Sequence, residues 1–225
     1  MHTGIKMEKK SFAKRMAGLI FGLALYGVGI VFVMNAGLGF APWEVLHGGI
    51  GDKVGAQVGT ISILLGLVIV IADYLLGETL GMGTLLNMLL IGSFMNLFVW
   101  MDFVPFPQEL PFKLLCMAIG LLINAFATYF YIAAGMGTGP RDCLMVILSR
   151  RTGVTAGKCK MVVEWTAVAI GWLLGGSVGV GTVIAAFGGG FFTDMVFKLF
   201  KFDPKEIVHE TFFESLAHII KTDIK

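Results

Sequence analysis

A short glycine-rich element occurs twice in the chain, each time directly after a long apolar run. Residues 37–44 read Gly-Leu-Gly-Phe-Ala-Pro-Trp-Glu, and residues 135–142 read Gly-Met-Gly-Thr-Gly-Pro-Arg-Asp. Both copies follow the pattern Gly-x-Gly-x-x-Pro-x-acid, and they lie 98 residues apart (135 − 37). A constant offset between similar stretches indicates an internal repeat, so we expect two similar halves.

The same offset relates stretches outside the glycine-rich element. Leu-Leu-Gly at 75–77 matches 173–175, and Gly-Thr at 83–84 matches 181–182. Single glycines also align, but they would be weak evidence alone in a chain that contains 31 glycines. The longer matches at one offset indicate that the whole arrangement is duplicated.

The composition indicates a multi-pass membrane protein. Only 14% of the 225 residues are charged, whereas a soluble domain usually carries about 25%. A helix needs about 20 apolar residues to cross a bilayer. We therefore predict an all-α membrane protein with six transmembrane helices, three in each half. The predicted spans are 16–34, 58–76, 82–100, 112–133, a run with its core at 160–174, and 182–200.

An odd number of spans in each half places the two halves upside down relative to one another. The charges agree, because the second glycine loop is basic and the first is nearly neutral. Basic loops stay in the cytoplasm, so we predict inverted-topology repeats with both termini cytoplasmic. The predicted segments are a basic tail at 1–15, repeat 1 at 16–101, an outer linker at 102–111, repeat 2 at 112–200, and a cytoplasmic amphipathic tail helix within 201–225.

A short helix is predicted after each proline, at 42–54 and 140–151. Proline suits the first helical turn, where its missing N–H costs nothing. Each helix would present free N–H groups and a positive dipole end, which favour an anion or a carbonyl oxygen. Glu44 and Asp142 could instead occupy these ends themselves. The two helices are either re-entrant, lining a wet cavity, or interfacial, and the sequence leaves both open.

The candidate solute-binding residues come from the two glycine elements and from two asparagines in the spans. They are Gly37, Gly39, Pro42, Trp43, Glu44, Asn87, Asn124, Gly135, Gly137, Gly139, Pro140, Arg141 and Asp142. Glu164 and Asp194 are the candidate coupling groups, because an ionisable residue inside a span is costly and so is a functional candidate. Both acids could also form interfacial ion pairs with lysines, and the asparagines could hydrogen-bond neighbouring helices. His47 is interpreted as an isolated histidine in the outer loop.

Several function classes find no support in the motifs. The chain contains no Walker-type phosphate loop, no H-E-x-x-H pair and no G-x-S-x-G motif, so we expect no enzyme, no cofactor and no metal site. Cys116, Cys143 and Cys159 lack ligand-like spacing and are expected to be apolar packing residues. Inverted repeats with interrupted helices are typical of secondary transporters.

The leading hypothesis is a small secondary transporter that moves a small organic or anionic solute by alternating access. Export is one direction that this hypothesis allows. The alternative is a non-transporting membrane scaffold or accessory protein whose basic cytoplasmic face docks a partner. The expected partners are membrane lipid, the solute and a second copy in a homodimer, with no nucleic acid. A polar cavity between the halves would favour the transporter, and a solid apolar interface would favour the scaffold.

Five stretches carry a family resemblance. They are Gly-Leu-Gly-Phe-Ala-Pro-Trp-Glu-Val-Leu at 37–46, Gly-Thr-Leu-Leu-Asn at 83–87, Gly-Met-Gly-Thr-Gly-Pro-Arg-Asp at 135–142, Ser-Arg-Arg-Thr-Gly at 149–153, and Gly-Trp-Leu-Leu-Gly-Gly at 171–176. Together they resemble the YczE/YyaS/YitT group of bacterial integral membrane proteins, and most closely its YczE-like branch. The resemblance implies a bacterial inner-membrane protein. Some members are connected with production of secondary metabolites, which is compatible with export, but no binding residue can be carried over.

Overall fold

The computed structural model describes residues 12–77, 80–154, 156–202, 207 and 209–216, and these residues form helices and no strand. The predicted basic tail up to residue 11 and the tail beyond residue 216 lie outside the described residues. So do the side chains of Asp142, Arg150, Lys158 and Lys160. The helices are α1 (Phe12–Asn35), α2 (Pro42–Val54), α3 (Val58–Leu75), α4 (Met82–Met101), α5 (Leu110–Ala133), α6 (Pro140–Thr152), α7 (Ala156–Leu173) and α8 (Val180–Leu199).

Each helix of the second half begins and ends 98 residues after its counterpart in the first half. The backbone of the loops repeats as well: φ is 63° at Gly37 and 64° at Gly135, and 111° at Gly39 and 120° at Gly137. A residue with a Cβ rarely adopts these positive values, which explains why glycine stands at all four positions. The predicted duplication therefore extends to local structure.

The core lies where α1 and α5 pack against each other in antiparallel directions. A Cβ at Gly22 would lie 2.9 Å from the Tyr131 nitrogen, and a Cβ at Gly120 would lie 2.9 Å from Val33 Cγ2. The early part of each helix thus meets the late part of the other. Because the glycines carry no side chain, the two backbones can approach closely, as is usual between membrane helices.

The two glycine elements hold the halves together. The Gly83 N–H donates to the Met136 carbonyl at 2.6 Å, and the Gly181 N–H donates to the Leu38 carbonyl at 2.7 Å. These two bonds are equivalent at the 98-residue offset, so each element satisfies a free N–H at the start of a helix in the other half. A Cβ at Gly39 would lie 2.5 Å from the Gly179 nitrogen, which leaves no room for a side chain.

Five helices, α1, α3, α4, α5 and α8, are long and apolar enough to cross a membrane. In α7, the helix at the fifth predicted span, the apolar part is Met161–Leu173 and is shorter. Large apolar side chains such as Leu75, Trp100 and Trp172 are exposed on the outside of the bundle. An apolar exterior of this kind suits lipid, so the chain is a multi-pass membrane protein, and the count of six spans stays a prediction.

The described part of the C-terminal tail lies on the protein itself. The Glu210 N–H donates to the Gly135 carbonyl at 2.9 Å, and the Phe212 N–H donates to the Leu80 carbonyl at 2.9 Å. The Arg15 guanidinium forms an ion pair with Glu210 and donates to the Gly135 carbonyl at 3.0 Å. Arg15 belongs to α1, because this helix begins at Phe12, whereas the predicted first span begins at residue 16.

Candidate functional site

The N-terminal ends of the two short helices meet in the middle of the protein. Helix α2 begins at Pro42 and α6 begins at Pro140. Most of α2 is buried, and it packs closely on α7: a Cβ at Gly171 would lie 2.5 Å from the Leu46 nitrogen. The helix is thus enclosed by protein over most of its length, and its last turn is exposed. This arrangement brings the residues after each proline together.

Arg141 of α6 reaches across to residues of the other half. Its guanidinium carbon lies 4.7 Å from the centre of the Trp43 ring, and its Nη1 lies 3.7 Å from Glu44 Oε1. Its Nη2 lies 3.3 Å from His47 Nε2 and 3.3 Å from Ser62 Oγ. A planar guanidinium suits such a combination of stacking, ion pairing and hydrogen bonding.

Glu44 and His47 are almost fully buried, with exposed fractions of 5% and 1%. A buried carboxylate is costly unless it is paired, and Arg141 supplies the pair. Since a guanidinium can only donate, His47 Nε2 accepts and the ring proton sits on Nδ1. Nδ1 lies 4.0 Å from Glu44 Oε1. A neutral histidine therefore stands beside the buried ion pair.

The interpretation of His47 as isolated is wrong, because it contacts Arg141 and lies beside Glu44. It lies on α2, within the short helix predicted at 42–54, four residues after Trp43 and three after Glu44, and this spacing puts all three side chains on one helical face. The spacing was visible in the sequence and could have identified His47 as a member of the site. Ser62 carried no comparable signal, because a serine inside an apolar span is usually a packing residue.

Two chambers lie beside Arg141 and Trp43. The larger has a volume of about 400 Å³ and extends along α5, α7 and α8. The smaller has a volume of about 100 Å³ and extends along α3 and α4. The residues that line both chambers are Tyr26, Trp43, Tyr131, Arg141 and Glu164.

The two chambers occupy equivalent places in the two halves and differ in size because of their side chains. Met88 and Ile91 line the smaller chamber, and Ala186 and Gly189, 98 residues later, line the larger. Met88 also fills the space beside Gly66, where a Cβ would lie 2.7 Å from Met88 Cγ. Small residues of α8 thus line the larger chamber where large residues of α4 line the smaller one.

The helices that flank the two chambers also differ in their packing. Gly92 of α4 is buried against Gly59 of α3, and a Cβ there would clash with the Gly59 carbonyl and lie 2.6 Å from Ile63 Cγ1. Gly190 of α8, the counterpart of Gly92, is exposed and has open space where a Cβ would be. A cleft therefore separates α7 from α8, whereas α3 and α4 are closed on each other.

The predicted site residues fall into two groups. The larger chamber is lined by Pro42, Trp43, Glu44, Asn124, Arg141, Glu164 and Asp194, and the smaller one by Asn87, Gly139 and Pro140, together with Trp43, Arg141 and Glu164. Four predicted glycines lie outside both linings, at the contacts between the halves and at the tail: Gly37, Gly39, Gly135 and Gly137. Their positive φ values set the chain direction before each short helix. The Asp142 side chain lies outside the described residues.

Comparisons with known proteins agree that the chain is a membrane protein. Residues 13–198 match DUF6198, a family of unknown function. An uncharacterized protein of Haemophilus influenzae is 33% identical over 173 residues, which cover 77% of this chain and 78% of that protein. In Bacillus subtilis, the uncharacterized membrane protein YczE is 32% identical over 171 residues, 76% of this chain and 77% of YczE. The uncharacterized protein YyaS of the same species is 27% identical over 175 residues, 75% of this chain and 85% of YyaS.

No solved structure matches the chain. The similarity to YczE and YyaS confirms the family resemblance seen in the sequence motifs.

Proposed function

The chain belongs to DUF6198, a family of unknown function, and we propose that it is a small secondary transporter. It moves a small organic solute across a bacterial inner membrane by alternating access between two inverted repeats. One observation carries this proposal: a polar chamber of about 400 Å³ lies between the halves, where the N-terminal ends of α2 and α6 meet. Transporters built from repeats bind their solutes at this kind of interface, near broken helices.

The contacts between the halves support an inverted repeat. Helices α1 and α5 are counterparts and run antiparallel, with Gly22 against Tyr131 and Gly120 against Val33. Their contacts are reciprocal, as expected for elements related by a two-fold axis. Helix α7 is the counterpart of α3, which is long and apolar enough to span, so α7 serves as the sixth span. Helix α2 is enclosed by protein, which permits it to be re-entrant.

The unequal packing of the two halves supports alternating access. On one side α3 and α4 are closed, and Asn96 Nδ2 donates to Thr60 Oγ1 at 3.0 Å across them. On the other side the cleft between α7 and α8 leads to the chamber, with Asp194 at its mouth. In the predicted topology this mouth faces the cytoplasm. If α7 and α8 closed on each other while α3 and α4 separated, the same chamber would be exposed to the opposite side of the membrane.

The scaffold hypothesis fits this interior less well. A scaffold needs only packed helices, and in that case the repeat interface would be solid and apolar. The chamber is instead lined by the Glu44–Arg141 pair, whose carboxylate is buried, and by the half-buried side chains of Asn124 and Thr128. Buried polar groups cost stability in a membrane protein, so their presence beside a cavity favours solute binding.

The proposal is tested with the purified protein in two stages. A library of small solutes is screened for compounds that raise the thermal stability of the protein in detergent, since a ligand stabilises the state that binds it. Each stabilising solute is then followed across proteoliposome membranes. We expect at least one of them to cross faster than in empty liposomes. If every stabilising solute stays on its own side, the scaffold function is correct instead.

A further inference from the structure

We propose that the larger chamber takes an amphiphile from the membrane, a molecule with one hydrocarbon chain and a hydroxyl-bearing head group, which enters between α7 and α8. This inference rests on the proposed transport function and names the class of solute. The position of the opening, the apolar surface around it and the hydrogen-bonding groups inside the chamber support this class.

The opening of the larger chamber lies along the length of α7 and α8 and not beyond their ends. Met161 of α7 and Gly190 of α8 line the chamber and are both exposed, so they mark its rim. Gly190 stands nine residues before the end of α8 at Leu199, which is about 13 Å along a helix. Helix α8 is long and apolar enough to cross a membrane, and α7 serves as the sixth span in the proposed transporter. The rim therefore lies at the depth of the lipid chains, in the cytoplasmic half of the bilayer in the predicted topology.

The outer surface beside this rim is apolar. Phe191, which follows Gly190 directly, is exposed on α8, and Val162, which follows Met161 directly, is exposed on α7 together with Trp165. Side chains of this kind suit the hydrocarbon chains of the bilayer, whereas a hydrated solute gains nothing from them. A ligand that enters here therefore carries an apolar part that can stay among the lipid chains.

Inside the chamber, Asn124 of α5 offers a hydrogen-bond donor. Its Oδ1 is buried without a hydrogen bond to any described residue and lies against the backbone of Gly29. A carbonyl oxygen can accept a weak contact from a Cα–H group there, which an amide NH2 group could not. The side chain is half-buried and lines the larger chamber, so Nδ2 is the polar end that reaches the chamber. The matching group on a ligand is an acceptor.

Two threonines that line the same chamber offer acceptors. Thr128 Oγ1 donates to the Asn124 carbonyl at 2.8 Å, and Thr193 Oγ1 donates to the Gly189 carbonyl at 2.8 Å. Each hydroxyl proton is thus used within its own helix, and the lone pairs of the oxygen remain for a ligand. A hydroxyl group both donates and accepts, so a head group with hydroxyls fits one donor and two acceptors.

The size of the chamber suits a head group and not a whole lipid. Its volume of about 400 Å³ is near the lower end of the range for small-molecule pockets. Gly189 and Gly190 have open space where a Cβ would be, which leaves a gap in the α8 side of the rim. A single chain can pass through this gap into the bilayer while the head group stays in the chamber.

The experiment follows contact with Trp43, which lines the chamber, by fluorescence. The other three tryptophans are exposed on the outside, so Trp100→Phe, Trp165→Phe and Trp172→Phe together leave Trp43 alone. The full chain with these substitutions is placed in nanodiscs and titrated with a monoacylglycerol that carries a nitroxide near the ester end of its chain. A nitroxide quenches tryptophan at short range. We expect saturable quenching that unlabelled monooleoylglycerol reverses and glycerol does not, and little quenching by phosphatidylcholine with the same labelled chain.

Two variants with matched controls locate the binding. Gly190→Leu places a side chain in the rim and Thr193→Val removes one acceptor, and each should raise the concentration for half-maximal quenching by roughly tenfold. Val183→Leu is the control for the first, because it adds bulk to the same face of α8 two turns away, at an exposed position. Thr166→Val is the control for the second, because Thr166 is exposed and makes the same kind of bond, to the Val162 carbonyl at 2.7 Å. Both controls should bind like the parent protein.

Three results would overturn the inference: equal quenching by labelled phosphatidylcholine, equal competition by glycerol, or unchanged binding in both Gly190→Leu and Thr193→Val. Failure of the transport function gives a different result. In that case the monoacylglycerol binds and depends on these two residues, but it does not move between the leaflets of proteoliposomes, as measured by the rate at which external ascorbate reduces the nitroxide of the inner leaflet. Conversely, if a water-soluble solute crosses and the monoacylglycerol leaves Trp43 unquenched, transport stands and the membrane source is wrong.

Discussion

At the scale of single residues, Arg141 and Trp43 hold equivalent places in the two halves and face each other at the centre of the protein. Their different chemistry makes the site asymmetric, because among the described side chains the cation there comes from the second half. The cation is engaged by four groups of the first half, and the charged one among them, Glu44, is buried. The pair should therefore contribute to stability as well as to the shape of the chamber.

The first prediction concerns this pair. Arg141→Gln should lower the free energy of unfolding by about 1–3 kcal/mol, because Glu44 is then buried without its partner. Glu44→Gln in the same background should recover part of the loss, since the orphaned charge is removed. The measurement is a double-mutant cycle from denaturant unfolding in micelles. Strictly additive effects of the two substitutions would contradict the pairing.

Sequence reasoning identified part of this site for physical reasons. Trp43, Glu44 and Arg141 follow a proline at a helix start, a pattern that can be recognised along the chain, and the structure brings the three together. Gly39 and Gly137 belong to the same pattern but lie at close contacts between the halves. A sequence shows that glycine is required at a position, but not whether a solute or another helix makes the close approach.

At the scale of elements, the helix pairs α3–α4 and α7–α8 flank the two chambers and differ in what surrounds one equivalent glycine. Gly92 is buried between α3 and α4, and Gly190 faces the open cleft between α7 and α8. The two glycines are a matched pair, because they occupy the same place in the repeat and differ only in their surroundings. A side chain added at each should therefore have opposite consequences.

The second prediction uses this pair. Gly92→Ala should destabilise the protein by about 1–3 kcal/mol, because the new methyl group clashes with the Gly59 carbonyl. Gly190→Ala should be neutral or stabilising by up to about 1 kcal/mol, since alanine is the better helix former and nothing obstructs its methyl group. Thermal unfolding of both variants in the same detergent measures the difference. Equal destabilisation by both would mean that α7 and α8 are packed like α3 and α4.

The third prediction concerns the contact between α1 and the tail. Arg15 donates from Nε to the Ala134 carbonyl at 2.8 Å, in addition to its bonds to Gly135 and Glu210. Arg15→Gln should lower the free energy of unfolding by about 1.5–3 kcal/mol, the usual contribution of hydrogen bonds to a charged group. Lys14→Gln is the control, since Lys14 is exposed on the same helix. If both variants unfold at the same temperature, Arg15 does not hold the tail in place.

At the scale of the whole molecule, the duplication could be predicted because local sequence determines helix starts and ends. The 98-residue offset recurs in every helix boundary. The separation of α7 from α8 could not be predicted, because it depends on which side chains fill a space between distant segments. Ala186 and Gly189 stand where Met88 and Ile91 stand in the first half, and only the structure shows that both pairs face chambers.

The fourth prediction concerns the orientation of the halves in the membrane. Val54 ends α2 and Val154 follows α6, next to the corresponding loops that lead into α3 and α7, and both are exposed. In an inverted repeat these loops face opposite sides, so Val54→Cys should react with an impermeant maleimide in intact cells and Val154→Cys only after permeabilisation. The native cysteines are buried and should give little background. Labelling of both positions from the same side would rule out inverted repeats.

The most direct test of transport through the larger chamber is to fill it by giving α8 the side chains that α4 carries at the equivalent positions. Ala186→Met together with Gly189→Ile should slow proteoliposome flux of the most stabilising solute by roughly tenfold or more, because the chamber loses its free volume. Phe187→Leu, at an exposed position of the same helix, is the control and should transport normally. We expect saturable flux in the unaltered protein and its loss in the filled variant with the fold retained. Flux at the unaltered rate in the filled variant, or no flux of any stabilising solute in the unaltered protein, would contradict it.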